Sequence, residues 1–179
     1  MGVLAAVIAA HRTVCDDRIL GSMKTPWIAE PTPIPSGFET DRLRLRKLTI
    51  HDAVKDYDAV MSSRAELWDL FGPGSGWPAD TLTLEQDIVD LAWHQKEFDI
   101  RGSFTYAVMS LDESRTLGCV YVFPPARADR DADVYHWVRS SELSSGLELH
   151  LSDHLRRWMT SSWPFARVAY PGRGDPFDH

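Results

Sequence analysis

Two cysteines in 179 residues are too few for a disulfide framework. Cys119 sits in the apolar run TLGCVYVF, where a thiol behaves as a small buried hydrophobe, and Cys15 falls in an N-terminal appendage. A reducing compartment, the cytoplasm, is therefore expected. The chain also lacks an apolar run long enough to span a bilayer. Its opening stretch VLAAVIAA, residues 3–10, is short and has no positive charge before it, so neither a membrane helix nor a signal peptide is expected. Ala6 stands where the pattern for myristoylation of Gly2 needs Ser or Thr. No membrane partner is expected.

Positive charge is also scarce. The chain has 26 acidic and 19 basic residues, a formal net charge of -7 and a pI near 5.4. Such a surface repels a phosphate backbone, so no nucleic-acid partner is expected. The densest basic cluster, Arg42, Arg44, Arg46 and Lys47, lies in RLRLRKL, whose alternation makes the arginines the wet face of a strand.

Familiar catalytic signatures are missing. The Gly-rich stretch GPGSGWPAD, residues 72–80, follows a helical segment and lacks the Lys-Ser/Thr ending of a P-loop; it reads as a mobile loop with Trp68, Phe71 and Trp77 as its apolar contacts. No G-x-S-x-G elbow occurs, and no strand leads into Ser75 between its two glycines. His150 and His154 are four apart on a helix with Asp153 beside them. However, Leu151 replaces the Glu of the zincin pattern and no third ligand is evident, so no metal is expected. There is no internal repeat.

What is present suits one globular domain: 44% of the residues are hydrophobic, enough for a real core. Pro26, Pro31, Pro33 and Pro35 make residues 24–37 an extended linker, on which Trp27 and Ile28 could dock against the core. The expected organisation is an N-terminal extension and linker (1–37), a domain (38–171) and a tail (172–179). Within the domain, alternation predicts a strand over 42–48 with Leu43 and Leu45 inward. Helical spacing predicts a helix over 51–63 with Val54, Tyr57, Val60 and Met61 inward. Thr83 and Gln86 form a capping box for a second helix over 84–99, with Leu84, Ile88, Leu91 and Phe98 inward and His94 and Glu97 solvated. Strands follow over 103–111, 116–123 and 132–139, then a helix over 146–161 with Leu147, Leu151, Leu155 and Trp158 inward, and a strand over 165–170.

The stretch ADVYHWVRSSELSSGLELHL, residues 132–151, has the most chemical promise. A strand runs through a Ser/Gly loop into an amphipathic helix, and the free N–H groups at a helix N-terminus can hold phosphate. The same joint is common in proteins that bind nothing there.

The element order is strand, two helices, three antiparallel strands, helix, strand. With ETDRLRLRKLTIHDA, SFTYAVMSLDESRTLGCVYVFP, DADVYHWVR and WPFARVAY, it resembles the GNAT superfamily of N-acetyltransferases, in the branch that acetylates protein N-termini or small amines. The likeness covers roughly residues 38–170. It implies an α/β (α+β) fold with a mixed, mostly antiparallel sheet flanked by helices. It implies acetyl-CoA as co-substrate, with its pantetheine arm paired to the free edge of strand four like an added strand, and a small-molecule or peptide amine as acceptor. Backbone groups around Trp137 and Val138, with Arg139, would hold the thioester end, and Ser144, Ser145 and Gly146 the pyrophosphate. Tyr135 or Tyr170 would serve as the acid, with Asp133 and Glu148 placed as bases by position alone.

Two departures accompany the resemblance. The family's phosphate loop usually reads Gln or Arg, two residues, Gly, one residue, then Gly or Ala; here Glu142-Leu143-Ser144-Ser145-Gly146-Leu147 keeps only Gly146. The family also continues past strand five with a helix and two strands, beyond where the likeness ends. The alternative expectation is therefore a catalytically inactive GNAT-like module that binds a small molecule or a protein. An exposed edge on strand five would be covered by a second copy, giving a homodimer, or by residues 1–35.

Overall fold

Leu43 and Leu45 are fully enclosed while Arg44 and Arg46 stay at the rim, so the alternation of RLRLRKL does set the face of its strand. The computed structural model describes residues 25–173, apart from the side chains of 72–74. The expectations for Cys15 and residues 1–24 lie outside that range.

The chain opens with strands β1 (Gly37–Glu39) and β2 (Arg44–Lys47), then a 3-10 turn (Ile50–Asp52) and helices α1 (Ala53–Ser62), α2 (Arg64–Ser75) and α3 (Leu84–Asp99). Strands β3 (Phe104–Met109), β4 (Thr116–Phe123) and β5 (Ala132–Val138) follow. After them come a short helix α4 (Ser140–Leu143), the long helix α5 (Leu147–Ser162) and the two-residue strand β6 (Val168–Ala169). The sheet order is β1-β2-β3-β4-β5-β6; every pairing is antiparallel except β5 with β6. This is the expected mixed, mostly antiparallel α/β architecture.

The sheet separates two apolar layers. On one side Leu147, Leu151, Leu155, Trp158 and Met159 of α5 pack on Val120, Val122, Val134 and Val138. On the other, Ala59 and Val60 of α1 and Leu67 and Phe71 of α2 pack on Cys119, Tyr121, Phe123, Tyr135 and Trp137. Each such side chain contributes roughly 1.5–3 kcal/mol by leaving water. All of β3, β4 and β5 are buried, so these strands read as continuous apolar runs and not as alternation.

Several expectations need correction. Val54 is 70% exposed and Ile88 41%, whereas helical spacing predicts both inward. The buried face of α1 is instead Ala53, Asp56, Ala59 and Val60, shifted because an aspartate occupies it. Glu97 is buried rather than solvated, with Lys96 Nζ 3.3 Å from its carboxylate, and His94 Nδ1 is bonded to Thr105 Oγ1 at 2.9 Å. The Gly-rich stretch from 72 is helical as far as Ser75, since α2 runs through it; α2, α4 and β1 were not anticipated. The last strand is two residues long, not six.

The proline-rich segment docks. Trp27 stacks on Phe165 (4.9 Å between centroids) and on Phe104 (5.9 Å), Ile28 is buried, and the Tyr106 hydroxyl donates to the Pro35 carbonyl at 2.7 Å. Among the described residues, no helix is long and apolar enough to cross a membrane.

Candidate active site

Strands β5 and β6 pair only at Ala132–Val168 and Asp133–Ala169. Beyond that point Val134–Val138 keeps β4 as a neighbour on one edge and, among the described residues, has no strand on the other. Successive residues turn their backbone groups to opposite edges. The Arg139 N–H donates to the Leu117 carbonyl on β4 (2.7 Å), so Tyr135, Trp137 and Arg139 face β4 and His136 and Val138 face the gap. Gly118 agrees: an added Cβ there would lie 2.0 Å from the Trp137 carbonyl oxygen. The gap-facing backbone is thus that of His136 and Val138. Trp137, expected to serve there, offers its backbone to β4 instead.

The gap is lined by charge. The guanidinium of Arg173, from the turn after β6, donates to the His136 carbonyl at 2.7 Å and pairs with Glu148 Oε1 at 2.7 Å. His136 Nε2 lies 3.3 Å from the same Glu148 oxygen. Burial lowers the His136 pKa against the pull of Glu148, with Arg173 adding to the effect, which keeps the imidazole neutral. Burial works against ionisation of Glu148. Even so, His136, Arg173 and the Val138 N–H together bring its carboxyl below the ordinary value. Of the two positional base candidates, Glu148 therefore faces the gap. Asp133 is buried, 2.7 Å from Arg130 Nε, and accepts from the Ala126 N–H, a structural arrangement.

At the mouth of the gap α5 begins. Gly146 is its N-cap residue in the left-handed conformation (φ 73), and an added Cβ would meet nothing within 4 Å. Ser144 and Ser145 are exposed beside it. Ser145 Oγ donates to the Glu142 carbonyl and accepts from Arg42 Nη2 at 3.1 Å, a cation that strand alternation predicts only as surface. Glu142 lies 3.4 Å from Arg115. Arg139 does not join this loop; its guanidinium is held by Asp58 and Ser62 of α1, both at 2.8 Å.

The two candidate tyrosines are not brought together. Tyr135 is in the layer under α1 and α2, whereas Tyr170 belongs to the α5 layer with the Arg156 guanidinium 4.0 Å over its ring. The rings of His150 and His154 lie 4.3 Å apart, tilted to one another, but His150 Nε2 is bonded to Thr40 Oγ1 at 3.0 Å. Among the described residues no three His, Cys, Asp or Glu side chains converge as a metal site would need.

Behind Trp137, the α1–α3 side holds a polar cluster that the sequence did not disclose. The Trp137 indole N–H donates to the Tyr121 hydroxyl (3.2 Å), and the Cys119 thiol donates to Asp56 (3.4 Å). Burial pushes Asp56 up to about 6, with Asp52 and Asp90 adding to the rise. Burial, with Asp56 and Asp90, pushes Asp87 up to about 8. On the same side a groove of about 460 Å³ opens between the 75–82 loop and α3, lined by Trp77, Leu82, Val89, Glu85 and Asp90.

No protein-family model matches the sequence, and no curated protein matches it. Solved structures do match the fold. The ribosomal-protein-S5-alanine acetyltransferase from Vibrio fischeri superposes with a TM-score of 0.59 at 19% identity, over 77% of this chain and 75% of that one. The microcin C7 self-immunity acetyltransferase MccE, in complex with acetyl-CoA and AMP, gives 0.58 at 13% identity, over 74% and 71%. RimL, a ribosomal L7/L12 α-N-protein acetyltransferase in complex with coenzyme A, gives 0.53 at 14% identity, over 70% and 66%.

Proposed function

From a chain whose fold is that of the GNAT N-acetyltransferases, we propose that it transfers an acetyl group from acetyl-CoA to an amine. The observation that carries this reading is the parting of β5 from β6 after Asp133–Ala169, which leaves a strand edge that runs on to the uncapped start of α5. A strand edge without a partner strand can pair with amide groups of a ligand. A helix start with open N–H groups suits phosphate. The two lie at opposite ends of one short segment, as a pantetheine–pyrophosphate ligand requires. Acetyl-CoA supplies the acyl group as a thioester. In this reading the gap-facing groups of His136 and Val138 hold the pantetheine end. Gly146 keeps the loop open to the pyrophosphate, with Ser144, Ser145 and Arg42 as donors.

In the transfer, the amine nitrogen bonds to the thioester carbonyl carbon, the C–S bond breaks, the amine loses a proton and the thiolate gains one. The acceptor would enter from the α1–α3 side through the groove at Trp77 and Leu82. Glu85 and Asp90 there favour a cationic amine. A reducing, cytoplasmic setting goes with this reading, since Cys119 is a free buried thiol.

A second reading, a non-catalytic binding module, is favoured by the separation of Tyr135 and Tyr170 onto opposite faces of the sheet. Calorimetric titration with acetyl-CoA tests both. Heat from the wild type, lost in Gly146→Asp, supports the cradle; no heat with the wild type eliminates it. Binding without release of free thiol across a panel of amines favours the second reading.

A further inference from the structure

Two backbone groups that β5 turns toward the gap near its end, the His136 carbonyl and the Val138 N–H, face one charged pair. The His136 carbonyl accepts from Arg173 at 2.7 Å. The Val138 N–H is one of the groups that hold the Glu148 carboxylate ionised. Arg173 and Glu148 are themselves paired at 2.7 Å. A donor on the carbonyl, an acceptor near the N–H two residues on, and an ion pair joining them stand where one peptide group of a neighbouring strand would lie. We propose that the Arg173–Glu148 pair is a removable stand-in for that peptide group, an internal plug that acyl-CoA must displace to reach β5. This inference rests on the reading of the gap as the acyl-CoA cleft.

Three features make the pair suited to this role. First, it is only partly enclosed: the Arg173 side chain is 27% exposed and Glu148 18%. The pair can therefore open into solvent without the full cost of stranding buried charges. Second, Arg173 is held by a tight turn, its N–H bonded to the Tyr170 carbonyl (3.1 Å) and Gly172 at φ 78. The guanidinium thus returns over β5 from the end of β6, and a small change in the turn withdraws it. Third, Glu148 lies in the first turn of α5, where a carboxylate answers the helix dipole that phosphate would otherwise answer. The pair therefore satisfies both halves of the cradle at once, the strand edge and the helix start. A neutral, buried His136 behind it supplies no competing charge.

The test is calorimetric titration of acetyl-CoA into the full chain as wild type, as the double variant Arg173→Ala/Glu148→Gln, and as Arg173→Lys. Changing both partners avoids leaving an unpaired carboxylate beside the phosphates. A charge-assisted bond that must be broken on binding weakens affinity about tenfold, so the double variant is expected to bind about ten times tighter than the wild type. Arg173→Lys, which retains a cationic donor, is expected to stay close to the wild type. Equal or weaker binding by the double variant, with the wild type binding, overturns the plug and makes Arg173 a ligand of the cofactor or a bystander. Binding by the double variant alone supports it. Heat from none of the three overturns the cleft reading itself, and the plug with it. A measurement on the wild type guards against variants that do not fold. The Arg173 guanidinium signal in 15N NMR is expected to show a slowly exchanging, bonded Nη2 that is released when acetyl-CoA is added. A signal unchanged at saturating acetyl-CoA overturns the proposal.

Discussion

The Cys119 thiol of β4 donates to Asp56 of α1 at 3.4 Å, with the thiol and the carboxyl both enclosed between helix and sheet. Asp87 of α3 adds a second buried carboxyl to this layer, and among the described residues Asp87 Oδ2 has no hydrogen-bond partner. Asp56 titrates at about 6 and Asp87 at about 8, above the ~3.9 of an unfolded chain. The folded state therefore keeps protons that the unfolded state has released. The contribution of these two groups is fully present below about pH 4 and is lost as pH rises toward 8. Asp87→Asn removes the larger part of this slope. Its gain should be near zero at pH 4 and grow to the order of 3 kcal/mol at pH 8, read from urea midpoints at several pH values. A gain independent of pH would rule out the titration as its source.

Asp52 titrates in the opposite sense. Burial opposes its ionisation, but the bidentate Arg46 guanidinium (2.8 and 3.0 Å) and the Thr49 N–H lower its pKa overall. Its stabilising contribution is present above the unfolded value and is lost as pH falls through the folded one. Asp52→Ala breaks the pair, uncaps the turn before α1 and leaves Arg46 partly buried. A loss of about 2–3 kcal/mol is expected at pH 7. The loss should shrink in acid, whereas that of a purely steric defect would not.

Gly118 sits on β4 directly against the backbone of Trp137 and Val138 on β5. An added Cβ would meet the Trp137 carbonyl oxygen at 2.0 Å and the Val138 Cα at 2.9 Å, and backbone atoms cannot step aside as a side-chain tip can. The position also adjoins the register shift between Val108 and Met109 on β3. Gly118→Ala should cost about 3 kcal/mol or more and loosen the end of β5 that borders the gap. Hydrogen exchange should show it first at Val138 and Arg139. A variant as stable as the wild type would mean that the strands separate at little cost.

The fold was legible where one physical rule acted alone. The alternation around Leu43 and Leu45, the Thr83–Gln86 capping box and the apolar stripe of α5 all survive in the structure. The two faces of β5 were readable as well, with Val134, His136 and Val138 toward α5 and Tyr135 and Trp137 toward α1 and α2. Legibility failed where a polar group took an apolar place. Asp56 on the inner face of α1 turned Val54 outward, and no periodicity can anticipate a buried aspartate whose partner is a thiol 63 positions away. Helix α2 was hidden by Gly72, Pro73 and Gly74 at its end, residues that ordinarily signal a loop. At the candidate site, the strand and the helix start at Gly146 were legible as elements from their residue types. Arg42, Glu148 and Arg173 could not be read as a group, because the contacts that join them to the loop and the gap are all long-range.

Arg101 ties the proline-rich segment to the domain. Its guanidinium donates to the Ile28 carbonyl and to Glu30, both at 2.7 Å, and to the Thr32 carbonyl, while its own carbonyl accepts from the Trp27 N–H. It does this from a left-handed backbone conformation, φ 59, which a non-glycine residue adopts at a cost of about 1 kcal/mol. Two substitutions separate the clamp from the strain. Arg101→Ala loses the bonds and keeps the strain, and should lower stability by about 2 kcal/mol. Arg101→Gly loses the same bonds but relieves the backbone, and should be about 1 kcal/mol more stable than the alanine variant. Both should expose Trp27, now stacked between Phe165 and Phe104, to chymotrypsin at a similar rate. Cleavage of neither variant would mean that the stacking of Trp27 holds the segment without Arg101. Unequal cleavage would place the left-handed turn, rather than the guanidinium, in control of the docking.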